Sequence, residues 1–163
     1  MLNKILDGIR KITSIFVIFM FTVVVTVVFM QVIMRHVFDS SLSWADELSR
    51  FAFVWLVYLG GTITIREGRN VCFDLLLDSF HNKFWKALYT LVSLLCAIFL
   101  IIITILGVLV CKANVGEVSP IMGLNMEYVV LAIPVGGLLM LFEQISYYLA
   151  HINEPRNKAE GVA

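Results

Sequence analysis

The chain has 163 residues, 60% of them hydrophobic and only 15% charged, with a formal net charge of zero. So high an apolar share excludes an ordinary soluble domain, and the balanced, dispersed charges leave no footprint for nucleic acid. The class that remains is an all-α integral membrane protein, and the grouping of the apolar residues supports it.

Residues 1–11 place Leu2, Ile5, Leu6 and Ile9 at helical spacing, with Lys4, Asp7, Arg10 and Lys11 opposite. This pattern predicts a short interfacial amphipathic helix lying on the membrane before the chain turns inward. Residues 12–34 then carry no Asp, Glu, Lys or Arg. A span needs about 20 apolar residues to cross roughly 30 Å of hydrocarbon, so a first transmembrane helix is expected here. The run is too long for the core of a cleaved signal peptide, and no small-x-small site ends it.

A second span is expected over 43–65. It begins with polar residues, SSLSWADELSR. Ser43 has the chemistry of an N-cap, and Asp46 and Glu47 suit the positive end of the helix dipole. At 100° per residue Trp44, Glu47, Phe51, Trp55 and Tyr58 share a stripe. Arg50, close to the membrane surface, needs a counter-charge. Asp46 and Glu47 both lie within reach, and the spacing favours Glu47, with Arg35 at the end of the first span joining the pair.

The loop that follows repeats the amphipathic device. Phe73, Leu76, Leu77, Phe80 and Phe84 fall on one face, with Asp74, Asp78 and His81 on another as a solvated polar set. Residues 87–111 form a third span, apolar all round. A fourth is expected over 127–150, where Pro134 removes a backbone hydrogen bond and bends the helix, and Gly136 and Gly137 allow close helix approach. Glu143 lies towards the end of that span. Residues 1–152 thus form one four-helix domain and 153–163 a polar tail.

Basic residues give the orientation. Nine (Lys4, Arg10, Lys11, Arg66, Arg69, Lys83, Lys86, Arg156, Lys158) lie on one side and three (Arg35, Arg50, Lys112) on the other. The positive-inside bias places both termini in the cytoplasm and turns the 35–46 and 112–125 loops outward. The cysteines, Cys72, Cys96 and Cys111, lack disulfide or metal-ligand spacing and read as packing residues. His36, His81 and His151 are scattered over three segments, so no enzyme site, metal site or cofactor motif is expected. Gln31, Thr22, Thr26 and Thr104 are too sparse to line a polar path, which argues against a small autonomous transporter or channel.

The series Arg35, Trp44, Glu47, Arg50, Trp55, Gly60, Arg66, Gly68 and Asp74, within residues 31–78, resembles the small membrane subunit of tripartite ATP-independent periplasmic (TRAP) transporters. Four spans in a chain of this length fit the same family. Asn70 stands where many members carry His, so no role is carried over to that position. The resemblance implies partners: a large membrane subunit that moves substrate and sodium ions by an elevator motion, and a periplasmic substrate-binding protein. It implies a bacterial inner-membrane location among membrane lipids, organic-acid substrates such as sialic acid or C4-dicarboxylates, and a scaffold role for the small subunit. An accessory scaffold subunit of another membrane complex is the alternative.

Overall fold

The computed structural model describes residues 2–40, 42–67 and 82–151. They form five helices: α1 Leu2–Val37, α2 Ser43–Arg66, α3 Asn82–Ala113, α4 Met126–Val130 and α5 Ala132–His151. Four segments are long and apolar enough to cross a membrane: Gly8–Val37, Ser43–Arg66, Leu88–Ala113 and Met126–Ala150. The fourth combines α4 and α5. Pro134 lacks the N–H that would continue the ladder to Val130, so the helix is interrupted at Leu131, and regular bonding resumes as Val135 N–H reaches the Leu131 carbonyl at 3.2 Å.

The start of the chain differs from expectation. No separate surface helix turns into the first span; α1 runs unbroken for 36 residues, about 54 Å at 1.5 Å per residue. No proline interrupts it, and Gly8 alone does not break a helix already propagating on both sides. Its part from Gly8 to Val37 is long and apolar enough to cross a membrane, and the residues before Gly8 continue the same helix axis. The expected interfacial helix around residues 73–84, with Asp74, Asp78 and His81, lies outside the described residues.

The start of the second span also departs from the sequence reading. The N-cap is Leu42, and no side chain caps the helix; Ser43 is already its first residue. The chain reaches that point through Asp39, whose φ of 47° turns it away from α1 in the left-handed region.

The helices lie in an open row. Among the described residues α1 packs along α2, α2 along α5, and α5 along α3, while α3 packs on neither α1 nor α2. A row buries little. Among the described residues the buried apolar set is Ala45, Ala52, Leu59, Tyr89, Leu100 and Ala132, half of it alanine. Large apolar side chains on α1 and α3, such as Ile12, Phe19, Phe29, Phe99 and Leu109, stay exposed. That surface is stable only in lipid or against another apolar protein.

Close helix approach holds the row. A Cβ at Gly136 would meet the Tyr58 Cβ at 2.6 Å and the Tyr58 backbone at 3.1 Å, and one at Gly137 would meet the Thr104 hydroxyl at 2.6 Å. Gly136 thus lets α5 touch the α2 backbone, where no rotamer change relieves a clash. Gly136→Val should cost about 1–3 kcal/mol of stability by overpacking, read as a lowered midpoint of thermal unfolding in detergent. Gly60→Ala is the contrast, because nothing lies within 4 Å of the position its Cβ takes; its midpoint should not fall.

Candidate functional site

The charged side chains inside the row lie at its two ends. At one end, the end expected to face outward, the α2 start meets the loop joining α3 to α4. Asn114 N–H caps the Val110 carbonyl of α3 at 3.1 Å. The chain then turns through Gly116, whose φ of 86° is strained for any residue with a Cβ. A short antiparallel bridge joins Val118 to Asn125, and Ser119 N–H donates to the Leu124 carbonyl at 2.8 Å.

Glu47 secures this loop. It is only 5% exposed, and its Oε2 accepts the Met122 backbone N–H at 2.8 Å. The Ser119 hydroxyl accepts the same N–H at 3.3 Å. A carboxylate on a backbone N–H is a charge-assisted bond, so Glu47 ties the first turn of α2 to a loop 75 residues away in sequence.

The expected Glu47–Arg50 pair does not form. Arg50 Nη2 bonds Asp46 Oδ2 at 2.7 Å, one turn back on the same helix face, with both side chains more than half exposed. Asp46 lies on the solvent side beside Arg50, whereas Glu47 is rotated 100° further, into the seam with the loop. Arg35 does not join either group; it is exposed and makes no ion pair with any described residue.

At the opposite end a second clasp spans the row. Arg10 of α1 forks onto Glu143 of α5, Nε to Oε1 at 2.8 Å and Nη2 to Oε2 at 2.6 Å. The carboxylate side chain is 10% exposed and the guanidinium side chain 30%. α1 and α5 do not pack on each other, so this bidentate pair closes their gap in front of α2. Sequence reading missed it. The available signal was a lone acid near the end of the last span and a cluster of bases, Lys4, Arg10 and Lys11, just before the first, both expected at one membrane face. Nearby, Gln144 Nε2 donates to Ser93 Oγ at 3.2 Å, and the Thr90 and Tyr148 hydroxyls lie 3.1 Å apart, tying α5 to α3.

The motif residues therefore divide. Glu47 is turned inward, and Trp55 meets Phe16 of α1 edge-on with ring centroids 5.9 Å apart. Arg35, Trp44 and Arg50 are exposed, and Gly60 borders open space. Arg66, in the last turn of α2, lines a cavity between α1 and α5. Gly68 and Asp74 lie outside the described residues. Cys96 and Cys111 are free thiols, and no group of three or more His, Cys, Asp or Glu side chains converges among the described residues.

An open row of apolar helices, tied at each end and offering two broad faces to its surroundings, is a multi-pass membrane protein. Comparison with known proteins gives its family. The family model for the DctQ component of tripartite ATP-independent periplasmic transporters matches residues 23–153. A putative TRAP transporter small permease protein of Haemophilus influenzae is 25% identical over 86% of this chain and 87% of its own length. The C4-dicarboxylate TRAP transporter small permease protein DctQ of Rhodobacter capsulatus is 33% identical over 70% of this chain, which spans 52% of that protein. The sialic acid TRAP transporter permease protein SiaT of Haemophilus influenzae is 26% identical over 77% of this chain, which spans only 20% of it. The chain belongs to the DctQ component family of TRAP transporters, a family of transport components.

Proposed function

We propose that this chain is the small permease subunit of a TRAP transporter in a bacterial inner membrane, a fixed scaffold for a large elevator-type subunit. That complex takes up an organic acid with sodium ions after delivery by a periplasmic binding protein. The observation that carries the scaffold role is the open row. Transporters that move ions place ionisable groups or broken helices near the bilayer midplane. Here the charged side chains inside the row, Glu47, Arg10 and Glu143, serve as ties at its two ends, and the helix break at Leu131 lies near the start of the Met126–Ala150 span, away from its middle. Two relatives are named for different acids, a C4-dicarboxylate and sialic acid, which supports the organic-acid class.

The exposed motif residues Arg35, Trp44 and Arg50, with Gly60 bordering open space, suit a partner interface. Arg50 and Gly60 lie on α2, a middle helix of the row. Purification of the chain from native membranes under mild detergent tests the assignment. It should bring down one much larger multi-span protein in constant ratio. Recovery of this chain without such a protein, from membranes that take up the acid, contradicts it.

The orientation has its own expected outcome. With both termini cytoplasmic, a membrane-impermeant thiol reagent applied to intact cells should label Ser40→Cys and Val118→Cys and spare Asn157→Cys. Labelling at position 157 alone reverses the topology.

A further inference from the structure

We infer that the gap between α1 and α5 at the Arg10–Glu143 end is a binding site for one anionic phospholipid, with an acyl chain in the gap and the phosphate on Arg66. The gap is a cavity of about 290 Å³. α2 forms its back wall, Ile9, Leu139 and Phe142 contribute apolar walls, and Arg10, Glu143 and Arg66 border it.

Three observations converge on a lipid. The cavity lies between two helices that do not pack on each other, in a segment long and apolar enough to lie in a membrane. Left empty, such a void forfeits the contacts its walls would make, and an acyl chain arriving from the side restores them. The charges set the headgroup. Glu143 holds Arg10 in a bidentate pair, so that pair brings no net charge. Arg66 makes no ion pair or hydrogen bond with any described residue and leaves one positive charge at the cavity. A guanidinium matches a phosphodiester with two parallel N–H bonds, and basic pockets between transmembrane helices bind acidic headgroups. A zwitterionic headgroup would bring its own cation towards Arg66, so an anionic lipid fits better.

The site is independent of the transporter assignment, because it rests on this chain's own cavity and charge. The test uses native mass spectrometry of the full chain, delipidated and then titrated with phosphatidylglycerol, phosphatidylcholine or glycerol 3-phosphate. The parent should retain one phosphatidylglycerol in preference to phosphatidylcholine. Arg66→Gln should weaken that retention about fivefold, the worth of one basic residue at an anionic headgroup. Arg66→Lys should keep most of it, and Leu139→Trp should abolish it by filling the cavity while Arg66 stays in place. Equal retention by the parent, Arg66→Gln and Leu139→Trp means annular lipid and overturns the site. So does glycerol 3-phosphate binding as well as the lipid. In the assembled complex, a photo-cross-linking residue at position 139 should capture lipid; capture of another protein chain there overturns the proposal.

Discussion

Glu143→Ala should destabilise the chain by about 3 kcal/mol, near the lower end of the range for breaking one side of a buried pair. The carboxylate is almost enclosed, while the guanidinium is partly exposed, so the stranded Arg10 recovers some solvation. The pair bridges two helices that, among the described residues, do not pack on each other, so its loss also removes a direct tie between α1 and α5. A double-mutant cycle of Arg10→Ala and Glu143→Ala, read by unfolding in detergent, should show a coupling above about 1 kcal/mol. The exchange Arg10→Glu with Glu143→Arg should restore part of it. The same cycle on Asp46 and Arg50 should give no more than about 0.2–0.5 kcal/mol, the value of an exposed pair one turn apart. Additive effects at Arg10 and Glu143 would show that the ionic clasp does not hold the row.

The second large effect falls on Glu47. Glu47→Ala strands the Met122 N–H, whose remaining acceptor is Ser119 Oγ at the longer distance of 3.3 Å. Leaving a buried donor poorly paired costs about 1–3 kcal/mol, and the half-buried Met122 N–H falls at the lower end. The cost should appear locally, as faster amide exchange at Met122, Ser119 and Gly123 with α5 unchanged. Glu47→Gln retains a carbonyl acceptor and should recover most of the protection. Uptake by the assembled transporter should fall more for Glu47→Ala than for Asp39→Ala. Arg50→Ala breaks only the exposed bond to Asp46, so any loss of uptake it causes comes from a partner contact and leaves Met122 exchange as in the parent. Parent-like exchange in Glu47→Ala would remove the carboxylate from the loop's support.

Elements dictated by a single segment were legible in the sequence. The charge-free runs mark the spans because hydrocarbon tolerates few unpaired charges, and the break before α5 follows from the missing N–H of Pro134. The close approach at Gly136 and Gly137 was readable as small residues in a span, although Tyr58 and Thr104 as their partners were not. Pairing across segments was harder. Periodicity places Asp46 and Glu47 within reach of Arg50 alike. The choice is made by the 114–125 loop, which folds over α2 and takes Glu47 for itself. Arg10 looked like part of a surface helix because amphipathic spacing cannot distinguish a helix lying on a membrane from the emerging end of a long span. The row was not legible at all, since each span has apolar residues enough to pack on several neighbours.

As a scaffold, this chain should hold a transporter in place and move nothing by itself. Proteoliposomes with an inward sodium gradient and a labelled organic acid, such as sialic acid or a C4-dicarboxylate, test it most directly. They are prepared with this chain alone, with the large membrane subunit that co-purifies with it alone, and with both, and loaded binding protein is supplied outside each. Accumulation is expected only when both membrane subunits are present. Accumulation by this chain alone would contradict it, as would full activity of the large subunit without it.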